Sequence, residues 1–267
     1  MLEAVHLEAG YPSKRVVEDF NARFEEGKLY ILVGRNGSGK STLLNTLGGW
    51  LKPLGGLVSI NGNDLSRLSS KELARLSGRL ASDLNNSLLV KRFVLMGSYS
   101  RQNWIDPYSQ SDRKAAGMAM RSLEIDGLAD ERMDRISSGQ KQKAAIAQIL
   151  VQNPDCLLLD EPGSSLDPAA RFELMERLVS LKSAHRILLA VIHDLDLALR
   201  YGDEILVLDQ GKLVFFGSAD RLVRSTVIQK VFGLAVQDWD ASTRTGRIFP
   251  LSCFESSDNF AEIPSAD

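Results

Sequence analysis

The segment Gly34-Arg35-Asn36-Gly37-Ser38-Gly39-Lys40-Ser41-Thr42 constrains this chain more than any other. Its three glycines let successive backbone N–H groups curl around phosphate oxygens without Cβ clashes. Lys40 supplies a point charge for β and γ phosphates, and the Ser41 hydroxyl is placed to ligate Mg²⁺. The apolar run Leu29–Val33 before the segment is a buried-strand pattern, and Thr42-Leu43-Leu44-Asn45-Thr46-Leu47 after it opens a helix. A glycine-rich turn between a strand and a helix is a phosphate-binding loop (P-loop), and it predicts binding of a nucleoside triphosphate with Mg²⁺.

The rest of the chain supplies a fold to carry that loop. Residues 2–9 and 16–24 read as two strands around the turn Gly10-Tyr11-Pro12-Ser13, and residues 58–62 as a short strand ending in a turn. From about 69 to 135 the pattern becomes helical, with charged faces such as residues 113–121. Strand and helix then alternate: strands at 156–159 and 187–192, helices at 169–181 and 195–201, and strands at 204–208 and 212–216. Alternating βα units around a P-loop predict a parallel sheet with helices on both faces and a helical subdomain inserted into it. Only the last dozen residues, rich in Ser, Asp and Glu, read as frayed.

Composition excludes several partners. With 267 residues, 44% hydrophobic, there is ample material for a large core. A formal charge of −2 argues against a basic nucleic-acid surface, so no nucleic-acid partner is expected. Cys156 and Cys253 form no metal spacing and are expected to be reduced thiols of a cytosolic protein. The first residues lack a basic segment followed by an apolar stretch, so no signal peptide is expected. The longest apolar run, residues 187–192, is too short to span a bilayer, and any membrane role must come through a partner.

A second constellation defines the kind of triphosphatase. The strand Cys156-Leu157-Leu158-Leu159 ends in Asp160 and Glu161. Asp160 would hold the Mg²⁺ hydration shell, and Glu161 would take a proton from attacking water. Upstream, Ile136-Ser137-Ser138-Gly139-Gln140 precedes a helical stretch over 141–152; its small residues at a helix start make a second anion site or, standing alone, a plain cap. Asp167 reads as an N-cap with Pro168 at the first helical position. His193 closes the strand at 187–192, where a phosphate-facing imidazole fits.

Taken together and in this order, these residues resemble the nucleotide-binding subunits of ABC transporters over nearly the whole chain. The resemblance implies an α/β fold: a P-loop NTPase, ABC ATPase cassette with a RecA-like parallel sheet core, an antiparallel β subdomain and an inserted α-helical subdomain. It implies an ATPase domain over 1–232, with the helical subdomain at approximately 84–150, and a short C-terminal extension over 233–267. It also implies that Tyr11 stacks on adenine, and that Glu161 and His193 are catalytic. The working unit would be a head-to-tail homodimer, with ATP on one P-loop sandwiched against Ser137, Ser138, Gly139 and Gln140 of the other subunit and Asp167 on the dimer loop. Integral membrane permease subunits and an extracytoplasmic solute-binding protein would complete it, placing the chain peripherally on the cytoplasmic face of the inner membrane. Residues 93–100 (Phe-Val-Leu-Met-Gly-Ser-Tyr-Ser), 193–201 (His-Asp-Leu-Asp-Leu-Ala-Leu-Arg-Tyr) and the tail segments Val231-Phe232-Gly233, Thr245-Gly246-Arg247 and Pro250 are similar to the importers of iron–siderophore, haem and cobalamin complexes.

Three positions depart from the family pattern. Ser138 stands where the signature has its first glycine, and Gly163 where Thr or Ser follows Glu-Pro. The Gln that contacts Mg²⁺ and senses the membrane subunit is not found; its place falls at Ser82 or Asp83. Two other readings therefore stay open: a soluble ABC protein of translation or DNA repair, and a catalytically weak regulatory cassette.

Overall fold

In the computed structural model, which describes residues 1–80, 84, 86–101, 108–164 and 166–253, the P-loop strand lies inside a six-stranded sheet. The chain opens with β1 (Leu2–Tyr11) and β2 (Lys14–Phe24), followed by the P-loop strand β3 (Leu29–Val33) and helix α1 (Lys40–Leu47). Next come β4 (Gly55–Ile60), β5 (Asn63–Asp64), α2 (Ser70–Leu76) and β6 (Ser77–Arg79). A helical stretch carries α3 (Val90–Leu95), α4 (Gln110–Ser122) and α5 (Ser138–Gln152). Then β7 (Cys156–Asp160), α6 (Pro168–Ser180), β8 (Ile187–Val191), α7 (Leu195–Tyr201), β9 (Glu204–Asp209) and β10 (Lys212–Gly217) alternate. The described chain ends in α8 (Ala219–Arg224), α9 (Val227–Phe232) and the strands β11 (Leu234–Asp240) and β12 (Thr245–Pro250).

The six-stranded sheet runs β10-β9-β3-β8-β7-β6, parallel except for the antiparallel edge strand β10. All five residues of β3 and of β8 are buried, as expected of strands covered on both faces. Side-chain alternation divides them between two cores. Leu29, Ile31 and Val33 join a core with Phe93, Ile146, Leu174 and Ala198 of the helices. Tyr30 and Leu32 join another with Leu43 and Leu47 of α1 and with Leu2, Phe20 and Ile60 of a separate antiparallel sheet, β2-β1-β4-β5. Cys156 packs in this second core, and burial pushes its thiol up to about 12, so it stays an unreactive thiol.

Two elements differ from expectation. Within the stretch read as helical, β6 pairs in parallel with β7 through Ser77, Gly78 and Arg79. Three residues of weak strand propensity carry no periodic signal, and tertiary contacts hold them instead. The Gln152 amide donates to the carbonyls of Ala74 and Ser77. A Cβ on Gly78 would lie 2.6 Å from Ile149 Cγ2 of α5, so glycine permits the close approach. After α9 the chain forms the antiparallel hairpin β11–β12, tied to the body by Trp239 Nε1 donating to Asp220 (2.6 Å) and Arg244 donating to the Gly202 carbonyl (2.9 Å). The expected fraying of the last dozen residues lies outside the described residues. No helix among the described residues is long and apolar enough to cross a membrane.

Candidate nucleotide site

The P-loop joins the end of β3 to α1, and its glycines are needed for different reasons. A Cβ on Gly34 would lie 2.2 Å from the Leu208 carbonyl oxygen, so the loop passes too close to β9 for a side chain. Gly39 (φ 103) would drive a Cβ to 2.9 Å from Val16 Cγ1 and 3.0 Å from Val17 Cγ2 of β2. Gly37 (φ 78) has open space around it and serves the backbone sign alone. Helix α1 starts at Lys40 with no side-chain cap and no acidic residue in its first turn. Its leading N–H groups and dipole therefore remain available to an anion. Arg35 and Asn36 stand exposed at the loop tip, and Thr42 lies within the first turn.

Lys40 is buried and donates to the carbonyls of Gly34 (2.8 Å) and Arg35 (3.0 Å). Burial lowers its pKa below the usual lysine range, while Glu161 and Asp160 pull in the opposite direction. The Ser38 hydroxyl is buried without a hydrogen-bond partner among the described residues. An orphaned hydroxyl, a buried ammonium and a cradle that side chains would fill fit a polyphosphate.

At the sheet's carboxyl edge the two acids part company. Burial raises the Asp160 carboxyl above the ordinary range, against the lowering effect of a hydrogen bond from Ser41. The Ser41 hydroxyl and Asp160 together form a hard-oxygen pair suited to Mg²⁺. Glu161 turns the other way. Its backbone is left-handed (φ 48), its N–H donates to the Val191 carbonyl (3.2 Å), and its Oε1 lies 2.5 Å from His193 Nε2. His193 is thus placed on the carboxylate of Glu161. Beside them opens a cavity of about 190 Å³ lined also by Gly163, Ser164, Arg171 and Asp194.

A second group of residues lies at the starts of α5 and α6. Ser137 caps α5, accepting from Gln140 N–H (3.2 Å) while its own N–H donates to Gln140 Oε1 (2.9 Å). Asp167 caps α6, accepting from Ala170 N–H (3.0 Å), with Pro168 at its first position as expected. Ser137, Ser138, Gly139, Gln140 and Asp167 line one cavity of about 470 Å³, and no P-loop residue lines it. Tyr11 ends β1 with 52% of its surface exposed, in the same hairpin as Val16, which touches the P-loop at Gly39. Ser82 and Asp83, where the missing Gln would fall, lie outside the described residues. Arg171, which the sequence pattern does not single out, donates Nε to the Leu166 carbonyl (3.0 Å).

A glycine-rich cradle between a buried parallel strand and a helix, with a strand-end Asp meeting the loop's Ser, defines a P-loop nucleoside triphosphatase. More narrowly, the chain belongs to the ABC transporter family as an ATP-binding, ATP-hydrolysing subunit: the family model described as "ABC transporter" matches residues 17–164. It is 35% identical over 231 residues to the achromobactin transport ATP-binding protein of Dickeya dadantii, covering 85% of this chain and 86% of that one. It is 35% identical over 236 residues to the ferric enterobactin transport ATP-binding protein of Escherichia coli, covering 87% of each. Among solved structures, cbiO1 from Clostridium perfringens, part of the ABC transporter complex cbiONQ, matches with a TM-score of 0.74 at 27% identity, covering 85% of this chain and 94% of that one.

Proposed function

We propose that this chain hydrolyses ATP as a head-to-tail homodimer that energises import of a metal complex of the iron–siderophore, haem or cobalamin class. It would sit peripherally on the cytoplasmic face of the inner membrane, against integral permease subunits supplied by an extracytoplasmic solute-binding protein. The observation that carries the dimer is the separation of two half-sites. The P-loop, with Ser41 and Asp160, would take the phosphates and the cation, while Ser137, Gly139 and Asp167 line a cavity with no P-loop residue. A second copy, turned to face the first, would close both. The solute class is supported by the relatives that serve achromobactin and ferric enterobactin.

In this reading the P-loop amides and Lys40 bind the β and γ phosphates, and Tyr11 offers its exposed ring to adenine. Ser41 and Asp160 would hold Mg²⁺, which would supply positive charge to offset that of the phosphates. Glu161 accepts the proton of the attacking water, with His193 fixing one carboxylate oxygen so that the other faces the water. The Gly139 position faces the partner's γ-phosphate.

One experiment tests the site and the dimer together. Glu161→Gln should keep ATP affinity, slow turnover by about a hundredfold or more, and trap an ATP-bound dimer in light scattering. Adding Gly139→Asp sets a carboxylate against a γ-phosphate and should abolish that dimer. Wild-type turnover in the first variant would sink the base, and a surviving dimer in the second would sink the sandwich.

A further inference from the structure

We propose that Arg171 is a positioning residue for hydrolysis, holding Leu166 and, through it, the turn from Glu161 to Ser164. The inference rests on Glu161 being the base. Four observations carry it.

Glu161 keeps a left-handed backbone (φ 48), which a non-glycine residue adopts only where its surroundings hold it. The loop after it is held by one hydrogen bond per turn: Ser164 N–H to the Glu161 carbonyl (3.2 Å), then Leu166 N–H to the Gly163 carbonyl (3.1 Å). The free end of that series is the Leu166 carbonyl, and Arg171 Nε closes it at 3.0 Å. Finally, the stem of Arg171 passes beside Gly163, where an added Cβ would lie 3.4 Å from Arg171 Cγ, at ordinary van der Waals distance. The side chain therefore holds the loop at its last carbonyl and passes alongside its first turn.

Arg171 is itself anchored, because its backbone N–H donates to the Asp167 carbonyl (3.0 Å) in the first turn of α6. One residue thus touches both functions. It lines the cavity beside Glu161 and His193, and it ties down the segment whose Leu166 and Asp167 line the signature cavity. A planar guanidinium suits the task because Nε donates sideways from a stiff fork, whereas a lysine ammonium at the same place would sit beyond the carbonyl.

The test uses the full chain with Mg²⁺ and ATP. Arg171→Ala should lower kcat roughly tenfold to a hundredfold, the range expected for an ångström-scale displacement of a catalytic group. The dissociation constant for ATP should stay within about twofold, because the P-loop is untouched. Arg171→Lys should restore only part of kcat. In the Glu161→Gln background, adding Arg171→Ala should cost nothing further in single-turnover hydrolysis, since residues acting as one unit are non-additive. Arg171→Gln, which keeps part of the stem, is read in the same way if the alanine variant does not fold. Wild-type kcat in both variants, a full additional loss in the Glu161→Gln background, or an equal loss of ATP affinity would each overturn the proposal. Failure of the underlying reading is distinct: Glu161→Gln alone would then turn over at the wild-type rate.

Discussion

At the scale of single residues, Lys40 of the P-loop and Asp160 at the strand end are held at an electrostatic cost. The raised pKa of Asp160 means that its ionised form costs more in the fold than in the unfolded chain. Its contribution is favourable below the unfolded pKa and is lost as pH rises through the higher folded value, so near neutrality the ionised group opposes folding. Lys40 carries the mirror-image burden: with its pKa lowered by burial, the cost of its charge is fully present below the folded value and fades only as pH rises from there towards the unfolded value. Asp160→Asn should therefore raise the melting temperature of the nucleotide-free protein near pH 7, by an amount that shrinks as pH falls towards the acid range, while abolishing Mg²⁺-dependent turnover. Calorimetry at several pH values reads this directly, and a melting temperature that is unchanged or lowered near pH 7 would contradict it. The same residues were the ones most legible from sequence, because a loop that wraps phosphate and an acid pair at a strand end need fixed residue types at fixed spacing. Arg171 was illegible for the opposite reason. Its partner is a backbone carbonyl that any residue at position 166 would supply, so only the folded turn reveals the contact.

At the scale of elements, local chemistry announced some boundaries and hid others. Asp167-Pro168 marks the start of α6 in the residues themselves, and Ser137 with Gln140 forms a capping box that fixes where α5 begins. The central strands were legible as unbroken apolar runs. The three-residue edge strand β6 and the hairpin β11–β12 were not, since both are stabilised by contacts with distant segments. The hairpin matters for what lies next to the site. Helix α7 follows His193 directly; Asp194 caps its start, accepting from Asp196 N–H (3.0 Å) and Leu197 N–H (3.2 Å). At its other end, the Gly202 carbonyl is satisfied by Arg244 of the hairpin turn. A seven-residue helix is too short to persist by itself, so both ends need partners. Arg244→Ala should destabilise the protein by about 1 kcal/mol, lowering the melting temperature by about 2–4 °C. An unchanged melting temperature would mean that solvent replaces the arginine without loss.

At the scale of the whole molecule, two cores share one set of strands. Residues of β3, β7, β8 and β9 point alternately into the helical core and into the core under the antiparallel sheet. Neither layer can separate without exposing one entire face of the other, so the two should open as a single unit. Amide hydrogen exchange should show it: protection in β1 and in α5 should converge on the free energy measured for β3 and β8, and much faster exchange in β1 would mean the layers open independently. This arrangement limits how ligand effects on exchange are interpreted. A nucleotide bound at the P-loop stabilises the native state as a whole, by an amount set by its concentration relative to its dissociation constant. In a molecule whose layers open together, that gain is shared by amides far from the phosphate cradle. Slowed exchange in α5 or β1 on adding ATP would then measure affinity, not proximity, and only amides that exchange through small local openings would map where the nucleotide sits.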